Sequence, residues 1–88
     1  MKTWEQARQG ITSISDAEKL EIRQMAQLVS RIIERRQALG LTQKQLADRA
    51  GLKQAAVARL ESANTMPRVD TLLRVSNSLN LQLSLTAL

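Results

Sequence analysis

Apolar residues Ile22, Met25, Leu28, Val29, Ile32, Ile33 and Leu39 recur at steps of three and four, which predicts a long amphipathic helix over about 16–38, or two helices broken near Gln24. Ser15-Asp16-Ala17-Glu18 marks its start, because the serine can cap, Glu18 can reach back and Asp16 suits the positive helix end. Gly40 stops it as a left-handed residue. Upstream, Thr3-x-x-Gln6 and Gly10 frame a short helix over about 4–9, joined to the long one by a connector at 11–14. Downstream, Thr42-x-x-Gln45 is a second capping box and opens a helix that runs to Ala50. Gly51 turns the chain, and another helix follows from about Gln54 to Ser62. The stretch 63–67 reads as a loop because Pro67 disfavours helix at Met66. Val69, Leu72, Leu73, Val75 and Leu79 then give a last amphipathic helix, with Asn80 as its left-handed end.

At Leu81 the period changes from three and four to two. Leu81, Leu83 and Leu85 alternate with Gln82, Ser84 and Thr86, which is a strand signal. A lone strand finds no partner within a helical chain, so pairing with the same strand of a second copy is the simplest way to satisfy its backbone. A frayed end, or an apolar tail lying on the helices, is the alternative. The expected fold is all-α: a bundle of about five helices in one domain over 1–88. It divides into a helical extension at 1–24, a bundle at 25–80 and a short dimerising strand at 81–88.

Composition narrows the chemistry. The 88 residues include no cysteine and no histidine, which removes disulfides, thiolate nucleophiles, zinc sites built on those ligands and imidazole acid–base catalysis. No paired-carboxylate site is in view, so an enzyme is not expected, and the sequence calls for no cofactor or metal. It shows no apolar run of the roughly 18 residues that cross a bilayer and no signal-peptide pattern at 1–12, so a cytoplasmic protein without membrane association is expected. Tryptophan appears once, at Trp4, and phenylalanine and tyrosine not at all, which argues against base-stacking platforms for single strands. The net charge of +5 is unevenly placed. Residues 1–34 are neutral, whereas 35–88 carry eight basic residues against three acidic ones, an asymmetry that suits a polyanion.

The segment from Leu41 to Glu61 gives that asymmetry a use. Gly51 supplies a tight turn, Ala47 is small where a second helix would cross the first, and Leu46, Leu52, Val57 and Leu60 can lock the pair, which is what a helix-turn-helix requires. Such a motif puts the first turns of its second helix into the major groove of duplex DNA. Gln54 is the leading base reader, since its amide can pair bidentately with adenine. Ala55 allows close approach to a thymine methyl, and Arg59 can reach guanine or a phosphate. Gln43, Lys44, Lys53, Asn64 and Arg68 are the backbone-contacting candidates. Arg36 and Glu61 end two helices that converge in a compact bundle, and a bidentate pair between them would be structural. Trp4 is either an anchor for a protein partner or a staple of the first helix.

The segment from about Ile32 to Leu81 resembles the Xre/Cro/phage-repressor family of helix-turn-helix proteins, a lambda-repressor-like bundle. The resemblance rests on Arg36, Leu39-Gly40-Leu41-Thr42-Gln43, Leu46-Ala47, Ala50-Gly51-Leu52, Gln54, Val57, Arg59-Leu60-Glu61, Pro67 and Thr71-Leu72. It implies Gln43, Gln54, Ala55 and Arg59 facing DNA and Arg36 paired with Glu61. The wider outline is similar to HigA-type antitoxins. That implies a homodimer that represses its own operon at a palindromic operator and neutralises a small RelE/HigB-like mRNA endonuclease. A stand-alone regulator without a toxin is the alternative. Ala63 stands where such proteins commonly have glycine, so Asn64 would take the left-handed turn instead.

Overall fold

A computed structural model of the chain describes residues 15–62 and 66–85. Among them are four α-helices: α1 (Asp16–Ala38), α2 (Gln43–Ala50), α3 (Gln54–Glu61) and α4 (Val69–Ser78). The short helix expected over 4–9, together with Trp4 and Asn64, lies outside the described residues, so the count there is four rather than about five. Helix α1 runs 23 residues without a break at Gln24, consistent with the absence of glycine and proline from it.

Two helices begin with their own caps. Ser15 Oγ accepts from Glu18 N at 3.1 Å and donates to Glu18 Oε1 at 3.0 Å. At α2, Thr42 Oγ1 accepts from Gln45 N at 3.0 Å while Gln45 Oε1 accepts from Thr42 N at 2.8 Å, a reciprocal capping box.

Three helix exits share one construction. Gly40 and Gly51 adopt φ of +70° and Asn80 a φ of +58°, and each is followed by a leucine. The leucine N–H reaches back over a full turn, with Leu41 to Arg36 O at 3.0 Å, Leu52 to Ala47 O at 2.9 Å and Leu81 to Ser76 O at 2.8 Å. The same three leucines pack against the core. A left-handed residue thus satisfies terminal carbonyls and delivers an apolar side chain to the interior in one step.

The core takes Val29 and Ile32 from α1, Leu46 and Ala47 from α2, Val57 and Leu60 from α3, and Leu72, Val75 and Leu79 from α4. Helix α2 meets both α3 and α4, and α1 leans on α3. Ala47 is 1% exposed in this core, where a larger side chain would have to displace packed neighbours. Among the described residues Ser76 is the one buried polar side chain, and its hydroxyl has no hydrogen-bond partner there. Such a group costs stability where an alanine would not. Residues 16–24 of α1 are exposed throughout, so the helix stands clear of the bundle for about 13 Å before packing begins.

Among the described residues the expected C-terminal strand does not form: residues 81–85 have no regular structure. A strand needs a ladder partner, and the described residues of a single chain supply none. The alternation instead puts Leu81 and Leu83, half-buried, onto the core, while Leu85 is fully exposed.

Candidate nucleic-acid interface

The Gly51 turn sets α2 and α3 side by side and leaves Lys53, Gln54, Ala55 and Arg59 exposed, with Ala56 and Ala58 half-buried. Val57 and Leu60 occupy the opposite face of the same two turns and are fully buried. One short helix therefore has an apolar back in the core and an outer edge of one amide, small methyls and one guanidinium.

The far end of α3 is fixed by a compact polar cluster. Arg36, in the last turn of α1, donates from Nε to Glu61 Oε2 at 2.8 Å and from Nη2 to Glu61 Oε1 at 3.0 Å. Its Nη1 donates to Leu41 O at 2.8 Å. Gln43, the first residue of α2, adds Nε2 to Glu61 Oε1 at 3.0 Å. The Arg36 and Glu61 side chains are only 13% and 6% exposed. A carboxylate at the negative end of a helix is unfavourable alone, so the bidentate guanidinium also relieves the α3 dipole. This cluster ties α1, α2 and α3 together behind the outer edge.

The remaining sequence candidates are placed differently from one another. Gln43, expected at a phosphate, has turned its amide inward to Glu61 and is half-buried. Lys44 pairs with Asp48 at 3.5 Å on the exposed face of α2. Lys53 and Arg68 occupy the N-cap positions of α3 and α4, and neither gives a side-chain cap. A cation at the positive end of a helix is the reverse of the usual preference. Arg68 Nε also lies 3.3 Å from Asp70 Oδ1 at an exposed pair. Helix α4 thus begins beside the edge of α3, and Arg59 and Arg68 line the same small cavity.

Two contributors escaped the sequence reading. Arg35 Nε donates to Leu79 O at 3.0 Å, so consecutive arginines of α1 hold the ends of α3 and α4. The signal was a basic pair in the last turn of a helix, but nothing in the spacing names the distant carbonyl. Thr71 lines the cavity with the two arginines, a position visible only once α3 and α4 are packed.

A helix-turn-helix family model matches residues 32–85 of this chain. A protein of Haemophilus influenzae described as an uncharacterized HTH-type transcriptional regulator is 34% identical over 85 residues, spanning 97% of this chain and 85% of that protein. A chain of a solved toxin–antitoxin module from Streptococcus pneumoniae superposes with a TM-score of 0.70 at 33% identity, covering 100% of this chain and 94% of its own.

Proposed function

Because the chain belongs to the helix-turn-helix family, we propose that it is a sequence-specific DNA-binding transcriptional repressor and the antitoxin of a toxin–antitoxin pair. The observation that carries the DNA reading is the outer edge of α3: Gln54 leads an exposed row with Ala55 and Arg59 while the opposite face is sealed in the core. A major groove admits a helix of this width, and a glutamine at its leading turn pairs with adenine. Lys53 and Arg68, bases at open helix starts, supply backbone contacts beside it, with Lys44 on the flank. The Arg36–Glu61–Gln43 cluster serves the site indirectly, by setting the angle of α3 against the frame.

The toxin half of the proposal draws on the likeness to the Streptococcus pneumoniae module. In this reading the chain neutralises a small RelE/HigB-like mRNA endonuclease and represses its own operon in the cytoplasm. It acts as a homodimer on a palindrome, with the tail beyond Asn80 and its bare Leu85 meeting a second copy. A stand-alone regulator is the second reading, favoured by the Haemophilus influenzae relative, which is described only as a transcriptional regulator.

Duplexes selected from a randomised pool test the first claim by fluorescence anisotropy. Gln54→Ala is expected to cost about 1–3 kcal/mol on the selected duplex and nothing on a random one. An equal loss on both would remove Gln54 from base reading. Co-purification with the product of an adjacent small reading frame separates the two regulatory readings, since only the antitoxin retains such a partner.

A further inference from the structure

The last turn of α1 carries two consecutive arginines, and the fold uses them differently. Arg36 engages its whole fork, with Nε and Nη2 on Glu61 at the end of α3 and Nη1 on Leu41 O, two residues before α2. Arg35 makes one bond, from Nε to Leu79 O at 3.0 Å, and its Nη groups have no partner among the described residues. That carbonyl belongs to the C-cap of α4, at the negative end of the helix dipole, where a guanidinium is favourable. Its peptide unit is the one from which the tail departs. On the other side of that unit Asn80 N donates to Asn77 O at 3.1 Å, so both of its polar groups are held. Asn80 then turns left-handed and Leu81 N returns to Ser76 O at 2.8 Å. The exit of residues 81–85 is therefore set by bonds within α4, by Leu81 and Leu83 on the core, and by one hydrogen bond from another helix. That last bond comes from Arg35.

We propose that Arg35 sets the half-site spacing at which a dimer of this chain binds DNA. The proposal rests on the DNA-binding homodimer above, joined through the tail, and assigns a residue to its geometry. In such a dimer the two reading helices are connected through a short series of rigid links. Glu61 fixes each α3 to Arg36, the helix fixes Arg36 to Arg35, and Arg35 fixes Leu79 O, where the tail begins its way to the second copy. Neighbouring residues of an α-helix keep a constant angle and rise, so reading helix and tail are both referred to a single turn of α1. The two half-sites must match the separation and the rotation of the two α3 edges, and one added base pair turns a half-site by about a tenth of a helical turn. Removing the Arg35 bond frees the Leu79–Asn80 peptide to pivot, and the two subunits then adjust to unequal spacings. Arg35 acts without touching DNA: it is a positioning residue for spacing, as Arg36 is for the angle of α3.

The test uses the full chain and duplexes that carry one selected half-site, or two at the preferred spacing, or two with one base pair added or removed. Arg35→Met keeps the aliphatic stem and removes the donor; urea unfolding and sedimentation check that it is folded and dimeric. The unaltered protein is expected to lose about tenfold in affinity on a one-base-pair change of spacing, since a rigid pair cannot follow the rotation. In Arg35→Met that penalty should shrink to about twofold, with affinity for the single half-site unchanged because α3 and its anchor are untouched. Arg35→Lys retains a cation and a donor at the end of α4 and should restore part of the discrimination. A uniform loss on all two-site duplexes, with the spacing penalty intact, would make Arg35 a plain cap of α4 and overturn the proposal. Binding identical to that of the unaltered protein at every spacing would overturn it equally. An unaltered protein that sediments as a monomer and ignores spacing is a different result, which removes the tail-joined dimer and the proposal with it. Failure of the unaltered protein to bind even the single half-site removes the DNA function itself.

Discussion

Helices α1 and α2 start in the way isolated helices prefer, with Ser15 and Thr42 closing their own first turns. Helices α3 and α4 start with Lys53 and Arg68 in the same position and no side-chain cap. The first pair is optimised for the chain alone. The second forgoes roughly 1 kcal/mol per helix at the cap and sets a cation there, although α4 also carries Asp70 in its first turn, where Oδ1 accepts from Thr71 N at 2.9 Å. That contrast separates helix starts that meet local preference from starts that leave the cap unfilled. Under the proposed function these two starts flank the outer edge of α3, which would give the departure from local preference a use.

The contrast breaks hardest at Glu61, the residue that joins the two regions. Glu61→Ala leaves the Arg36 guanidinium and the Gln43 amide without their acceptor, and should cost about 3 kcal/mol in urea unfolding. DNA affinity should fall further than the folded fraction does, since α3 loses its anchor. Lys53→Asp tests whether the open start is functional. It should stabilise the fold by about 1 kcal/mol while weakening binding to every duplex; undiminished binding would reduce Lys53 to a poor cap. The mirror experiment is Thr42→Ala, which should lose about 1 kcal/mol with the affinity of the folded protein unchanged. The smallest effect is expected at a helix end rather than a start. Asn80→Gly should alter stability by less than about 0.5 kcal/mol, because both residues tolerate the left-handed backbone there.

Much of the frame was legible because its signals are local. Ser15, Thr42 with Gln45, Gly40, Gly51 and Asn80 each act within a few residues of their own position, and the three-and-four spacing finds core residues such as Val29, Ile32, Leu72, Val75 and Leu79, although Ile22, Leu39, Val69 and Leu73 of the same rows are exposed. The Arg36–Glu61 contact was approachable because both residues end helices. What escaped depends on distance in three dimensions. Gln43 turns inward because α3 brings Glu61 to it, and Arg35 meets Leu79 O across 44 residues of sequence. The tail shows a different limit. A two-residue period is the mark of a strand, but also of any extended segment that lies on a bundle and presents alternate leucines to it. Ser76 is a third case: its place in the apolar row of α4 carries no sequence mark that separates it from a surface serine.

The shared construction of the three helix exits makes chain length, rather than residue type, the guarded quantity at 40–41, 51–52 and 80–81. One residue inserted between Gly51 and Leu52 would rotate that leucine out of the interior and swing α3 away from α2 with it. Drift on the outer faces is cheap by comparison: point changes along the exposed side of α3 leave the core intact, whereas a single insertion or deletion at these corners dismantles the platform that presents it.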